Sequence, residues 1–370
     1  MIKKTRYDVV VIGAGIMGCT TALHLAKSGM STLIVDKGKI CREASGVNAG
    51  TLTIHMTRAQ LIPFAIKGWE LWMNTNKWLG EDIEIVKTPG LCLAFTEADE
   101  ELLVQRSKER IKQGASIKLI SKKEALNIEP SLSQNIRMAA FCEMDGFVSA
   151  YKTGLVFSKA FNKIGVEVIE NEKIEIVENS DKFFVLKNIK NNFFVEANNI
   201  VLAGGIWLEE MLKWFQINIS IKCLPQQLIV TERINKILNS VITIANGKLS
   251  LKQFLNGTVL IGGGWPGLRD MKNDKFETIH ENFIGNIQLA CYSIPALKTS
   301  RVVRVWGGLE AETKDAMPIM GQIPNIDNAY VIGSFHSGYT SGPYVGYLMA
   351  QMILGNEQKN HNLFSLSRLL

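Results

Sequence analysis

The feature that most constrains this chain is Gly13-Ala14-Gly15-Ile16-Met17-Gly18, set between an apolar run and a helical pattern. Residues 7–12 (YDVVVI) are β-branched and apolar, and read as a short buried strand. Ala22, Leu23, Leu25 and Ala26 then make one apolar helix face, and Gly29 closes that helix as a C-cap residue does. Residues 31–35 read as a second strand, ended by Asp36. Each residue type in this unit has a physical task. Gly13 makes the tight turn, Gly15 lets a pyrophosphate approach the backbone, and Gly18 lets the helix pack on the strand. The free N–H groups at the helix start, around Ile16 and Met17, suit an anion. Asp36 lies 18 residues after Gly18, where an acid accepts hydrogen bonds from ribose hydroxyls.

The loop alone does not separate one dinucleotide from another. Two further stretches bear on it. Val201-Leu202-Ala203-Gly204-Gly205 is another strand ending in small residues, and Gly333-Ser334-Phe335-His336-Ser337-Gly338 precedes the last helical pattern. Three glycine-rich strand ends spread over the chain suit a long cofactor held by a discontinuous domain.

Composition narrows the rest. With 370 residues, the chain has room for two or three domains. Its hydrophobic content of 46% excludes general disorder. The net charge of +6 is mild, and no basic patch interleaved with aromatics occurs, so no nucleic-acid partner is expected. No run is long and apolar enough for a spanning helix, which leaves peripheral membrane contact open. Lys3, Lys4 and Arg6 precede an apolar stretch, as in a signal peptide. That stretch holds three glycines and no small-residue cleavage site, so it reads as a strand. The six cysteines are scattered without C-x-x-C spacing. They predict reduced thiols in a cytoplasmic protein, with no metal site.

Along the chain, helices are predicted over 64–79, over a charged segment at 97–113, and after a capping box at Ser121–Glu124. Thr96-x-x-Asp99 resembles a capping box without its usual Glu. Further helices are expected at 150–163, capped by Ser149, at 280–293 and at 340–354. Strands are expected at 91–95, 137–143, 166–169, 174–178, 183–188, 193–197, 200–203, 301–306, 318–321 and 329–332, with a mostly β stretch over 221–264. The charge run at 97–113 reads as a solvated face.

These motifs together resemble the FAD-dependent D-amino-acid-oxidase-like superfamily, in the branch with glycine oxidase, sarcosine oxidase and D-amino acid dehydrogenase. The carriers are Gly13–Gly18 with Asp36, residues 44–52 (ASGVNAGTL), 165–168 (GVEV), 201–205, 304–309 (RVWGGL), 313–315 with 318–321, and 333–343. SGVNAGTL, with LKQ at 251–253 and GGGW at 262–265, is most similar to the flavin subunits of opine oxidases, hydrogen cyanide synthase and D-hydroxyproline dehydrogenase. The resemblance implies an α/β fold: a Rossmann-type FAD-binding domain (1–82, 145–218, 316–370) interleaved with an α+β substrate domain (83–144, 219–315) dominated by an antiparallel sheet.

It also implies site roles. Gly13, Gly15 and Gly18 would cradle the pyrophosphate, Asp36 would hold the ribose, and Lys37 would flank the adenine, with Val168 meeting it through its backbone. Ser45, Asn48, Ala49, Gly50 and Thr51 would line the pyrophosphate, ribityl chain and isoalloxazine. Ala203, Gly204, Gly205 and Gly333 are places of close backbone approach. Gly338, Tyr339 and Thr340 would open the last helix near the flavin C2 carbonyl, where N–H dipoles stabilise charge on the reduced flavin. Thr51, His55, Glu310 and His336 are the side chains expected nearest the chemistry. His55 has packing or the capping of a strand end as the alternative, and His336 sits in the last loop, where relatives place polar groups that contact substrate or flavin. Gln253 and Trp265 are further pocket candidates, and Arg304 is an ion-pair candidate. Cys19 and Cys41 lie close to the loops, with inert packing as the default.

Two departures from the family pattern bear on chemistry. Relatives read GLR where this chain reads Gly308-Leu309-Glu310. Glu310 repels a carboxylate, so either another group anchors it or the substrate presents a cation; Glu310 facing solvent is the alternative. Monomeric sarcosine oxidases attach FAD through a Cys near this motif, and Gly308 stands there, so non-covalent FAD is expected. The resemblance implies oxidation of a C–N bond in an amino acid or secondary amine by hydride transfer to flavin N5, with no obligatory protein base. A catalytic subunit of a dehydrogenase complex, with partner electron-transfer subunits, is the first reading. A self-contained oxygen-using oxidase and a non-catalytic flavin-bearing subunit are the alternatives.

Overall fold

The computed structural model describes residues 5–180, 182–190, 193–336, 338–356 and 363–370. Lys3, Lys4 and Ser337 lie outside the described residues. Strand Arg6–Ile12 is buried on both faces: Val9 and Val11 join one core cluster, Val10 and Ile12 another. That is how a parallel strand covered on both sides behaves. It pairs in parallel with Thr32–Val35 and with Phe194–Leu202. Ala329–Gly333 adds in parallel beyond Phe194–Leu202, and Glu167–Ile169 beyond Thr32–Val35. Strands Ile174–Asn179, Phe184–Asn188 and Ile319–Gln322 pair antiparallel at the margins of this eight-stranded sheet. Helices Ile16–Lys27, Ile62–Trp72, Lys152–Ile164 and Gly338–Ile353 supply the core on one of its faces.

A second eight-stranded sheet begins at Val302–Thr313 and Ile221–Arg233. It continues through Thr258–Gly262, Ser250–Gln253, Val241–Ile244, Gly90–Ala94 and Met138–Cys142 to Ile117–Ser121. Among the described residues, only the junction of Val241–Ile244 with Gly90–Ala94 is parallel in this sheet. Helix His280–Ser293 packs on it through Ala290. The expected α/β class, with a separate sheet dominated by antiparallel pairing, is what the chain forms.

Local differences have local causes. The segment 64–79 is two helices, Ile62–Trp72 and Thr75–Trp78, because Asn74 leaves helical geometry at φ −126° and ψ 34°. Residues 193–197 and 200–203 belong to one strand, Phe194–Leu202. The polar pair between them is accommodated because Asn199 donates to the Asp8 carbonyl and Asn198 accepts from Arg6. Ser149 does not cap its helix, which starts at Lys152 after Tyr151. At Thr96 the capping box is complete, since the Asp99 carboxylate accepts from the Thr96 N–H in place of a Glu. The strand expected at 301–306 runs on to Thr313 through Gly307 and Gly308, where Phe276 and Val47 occupy the space a Cβ would need.

Candidate active site

A cavity of about 1240 Å³ opens at the carboxyl ends of four parallel strands. Ile12 and Gly13, Val35 and Asp36, Ala203 and Gly204, and Ile332 and Gly333 all line it. Ligands of parallel α/β sheets bind at such strand ends. The glycine loop forms one wall. Gly13 has φ +114°, and a Cβ there would sit 2.4 Å from the Ala203 carbonyl oxygen. A Cβ on Gly18 would sit 2.1 Å from the Gly13 carbonyl oxygen. Loop, helix and neighbouring strand end therefore interlock through bare backbone.

Asp36 braces this wall. Its carboxylate accepts from the Ala14 and Gly38 N–H groups, each at 2.6 Å. Burial raises its pKa, and these two bonds oppose the rise. Lys37 lies 3.5 Å from the Trp207 ring centroid and 3.2 Å from Asp274. Opposite, Ser45 Oγ accepts from the Ile16 N–H at 2.9 Å, joining the segment 44–52 to the helix start. Asn48 folds that segment, donating to the Ala44 and Ser45 carbonyls and accepting from the Gly50 N–H. Thr340 Oγ1 donates to the Thr51 carbonyl and accepts from the Thr53 N–H, which ties the last helix to the same segment. Tyr339 bonds to Thr153 and accepts from Trp72 through its carbonyl, and burial raises its phenol pKa far above the ordinary value. Lys252 Nζ donates to Thr51 Oγ1 from behind the wall.

Further along the cavity, His336 Nδ1 lies 3.2 Å from Glu310 Oε1. At this distance the two groups form an ion pair when the imidazole is protonated. The Glu310 carboxylate raises the His336 pKa, against the effect of burial. Glu310 thus lines the cavity, with its side chain 28% exposed. Arg58 lines the cavity too, bonded to Glu312 at 3.1 Å and to the Ala316 carbonyl. Arg106 and Arg110 complete a basic rim, held by the carbonyls of Ala245, Met56 and Thr57. Sequence reasoning misses these three arginines. The i, i+4 spacing of Arg106 and Arg110 is the available signal, hidden inside a charge run that reads as solvated.

Most of the expected site residues meet at this cavity. Gly13, Gly15, Ile16, Met17, Gly18, Asp36, Lys37, Ser45, Asn48, Ala49, Thr51, Ala203, Gly204, Gly205, Glu310, Gly333, His336, Gly338, Tyr339 and Thr340 line it. Gly50 lies just behind, its carbonyl accepting from the Val148 N–H. Val168 is outside the lining, paired with Ile34 in the sheet. His55 is also outside it. Fully buried, it bonds to Asp145, Thr53 and Thr243, which is a packing role. Gln253 turns away to accept from the Ile237 and Leu238 N–H groups, and Trp265 donates to the Lys248 carbonyl. Arg304 sits over the Trp306 ring, and Cys19 and Cys41 are buried free thiols.

An extended dinucleotide fits these walls. The glycine cradle leaves backbone bare where phosphates need it, and two lining residues, Gln227 and Ser334, carry buried side-chain oxygens without a protein partner. Such oxygens call for a polar ligand. Fold and cavity thus define a dinucleotide-dependent enzyme of the Rossmann type. The family model described as FAD dependent oxidoreductase (DAO) matches residues 8–352. The chain belongs to that family and is an FAD-dependent oxidoreductase. It is 26% identical over 382 residues to glycine oxidase of Bacillus licheniformis, covering 96% of this chain and 95% of that protein. It is 23% identical over 377 residues to an opine oxidase subunit of Rhizobium meliloti, covering 98% and 97%. Its fold superposes on glycine oxidase from Geobacillus kaustophilus with a TM-score of 0.89 at 23% identity, covering 99% and 100%.

Proposed function

We propose that the chain oxidises a C–N bond of an amino acid or secondary amine carrying a carboxylate, opine-like or a D-amino or imino acid. The glycine oxidase and opine oxidase relatives support this class. Gly13, Gly15, Gly18 and the helix start would hold the FAD pyrophosphate, Asp36 the ribose, and Lys37 the adenine end. Ser45 to Thr51 would follow the ribityl chain, and the N–H groups from Gly338 to Thr340 would face the N1–C2 edge. Bound FAD supplies a hydride acceptor at N5, and the imine product hydrolyses afterwards.

The observation that carries the substrate reading is the Glu310–His336 contact on the cavity wall. When protonated, His336 would engage one oxygen of Glu310 and leave the other to accept from a substrate N–H. Arg58 stands on the same wall with donors to spare, since a guanidinium carries five. Together they hold an amine and a carboxylate at separate points, and Arg58 takes the part of the arginine that Glu310 replaces. Placement of the amine before hydride loss is the main protein contribution. Electrons then pass to a partner protein, a reading supported by the opine oxidase relative, which is itself one subunit of its enzyme; the glycine oxidase relatives favour oxygen as the second reading.

The test is anaerobic bleaching of the flavin spectrum by a panel of amino acids and secondary amines. Bleaching by a carboxylate-bearing amine, without peroxide in air, is expected. Peroxide formed at the turnover rate would establish the oxidase reading, and no bleaching by any compound would remove the catalytic one.

A further inference from the structure

The strand Ser250–Gln253 places one amine where no charge is expected. Lys252 is completely buried, and its Nζ donates to Thr51 Oγ1. No ion pair to it occurs among the described residues. The flanking strands, Val241–Ile244 and Thr258–Gly262, carry no titratable side chain. Across from it, Thr51 pairs with Phe147. His55, four positions after Thr51, bonds to Asp145, Thr53 and Thr243, not to Lys252. Thr51 itself lines the cavity. Its carbonyl is already taken by Thr340.

We infer that Lys252 is a positioning residue that acts on bound FAD through Thr51, fixing the direction in which the Thr51 hydroxyl donates. An ammonium has three donors and no acceptor. While Lys252 is charged, Thr51 Oγ1 must accept from it, and the hydroxyl hydrogen is left to point into the cavity. Neutral Lys252 can accept instead, and the hydroxyl then turns away. Charged Lys252 therefore gives the cavity a donor and a nearby positive charge, both of which favour the reduced, electron-rich flavin. Burial pushes the Lys252 pKa down to about 7, so both forms are accessible near neutral pH. The inference rests on the placement of Thr51 beside the isoalloxazine proposed above.

The experiment compares wild type, Lys252→Met, Lys252→Arg and Thr51→Val as FAD-loaded proteins. Two properties are read: the midpoint potential of the flavin between pH 6 and 9, and its affinity for sulfite, an anion-forming N5 probe. For wild type, a change of slope near neutral pH is expected. Lys252→Met should lose that break and bind sulfite about tenfold more weakly, the effect of one pKa unit of charge interaction. Lys252→Arg should restore sulfite binding without the break, since arginine does not titrate there. A wild-type potential line and sulfite affinity in Lys252→Met, with Thr51→Val altered, would overturn the role of Lys252. No change in Thr51→Val would overturn the placement of Thr51 at the flavin, and the inference with it. If Lys252→Met fails to hold FAD, Lys252→Arg alone decides, because a wild-type break in it is incompatible with the inference.

Discussion

Trp306 Nε1 donates a 2.9 Å hydrogen bond to the Val47 carbonyl, tying the strand Val302–Thr313 to the short helix Ala44–Val47 beside the cavity. The second sheet therefore helps to hold the cavity wall formed by residues 44–47. A net hydrogen bond of this kind contributes about 1 kcal/mol, or roughly fivefold in an equilibrium. Trp306→Phe should weaken FAD retention by about that factor. Equilibrium dialysis of the holoprotein measures it, and an unchanged affinity would mean that the bond does not brace the site.

Arg58 as the carboxylate anchor gives a kinetic prediction. Charge-assisted hydrogen bonds are worth about 1.5–3 kcal/mol, so Arg58→Met should raise KM by roughly 10- to 100-fold for a substrate that bleaches the flavin. FAD content should not fall, because the guanidinium bonds to Glu312 and Ala316 and not to the glycine loop. Steady-state kinetics with a known number of flavin-bearing sites checks this. A change in kcat alone would assign Arg58 elsewhere.

The buried His55–Asp145 contact points to stability and not to turnover. Asp145 also accepts from the Ile54 N–H at 2.9 Å, so its loss removes two buried hydrogen bonds at once. Breaking such a buried pair costs about 3–5 kcal/mol. Asp145→Ala should lower the unfolding free energy by that order, read from urea denaturation. His55→Asn should also destabilise, while kcat per bound FAD stays near the wild-type value. A large fall in kcat with full stability would return His55 to the reacting centre.

Acid tolerance should depend on Asp315. Arg368 lies 2.8 Å from it and holds its carboxyl pKa down at about 2. The folded value is depressed, so the pair stabilises above the ordinary carboxyl pKa of about 3.9. That contribution fades as pH falls from about 4 towards 2. Asp315 is 40% exposed, and solvent screening limits the pair to under about 1 kcal/mol. Arg368→Met should narrow the melting-temperature gap between pH 6 and pH 3. Equal gaps in both proteins would contradict the assignment.

What the sequence makes legible follows from how local each signal is. The glycine loop and Asp36 form a unit of neighbouring residues, so spacing reveals them. The cavity-lining segment 44–52 and the last helix are readable through the family resemblance. Arg58, Arg106 and Arg110 are not, and Lys252 is marked only as part of the LKQ match, without its contact to Thr51. Each acts on the cavity only because distant strands and helices bring it there, as Lys252 reaches Thr51 across 201 positions. The segment 64–79 differs for another reason: its apolar period continues through Asn74, where backbone geometry breaks the helix. His55 shows the converse, since proximity in sequence to the flavin segment does not bring it to the cavity wall.

FAD should be held without a covalent bond. Such a bond needs a reactive thiolate or another nucleophile at the isoalloxazine. Gly308 offers none, and a Cβ there would lie 2.7 Å from Val47 Cγ2, so the backbone leaves no room for a cysteine without a shift. Of the described cysteines, Cys41 lines the cavity at the glycine-loop side, its sulfur 4.0 Å from that of Cys19. Burial raises the Cys19 thiol pKa well above its ordinary value, so thiolate is scarce there. FAD should therefore be released entirely by acid precipitation, leaving a yellow supernatant and a colourless pellet. Flavin fluorescence that stays with the polypeptide on a denaturing gel would show a covalent link, and would direct attention to Cys41.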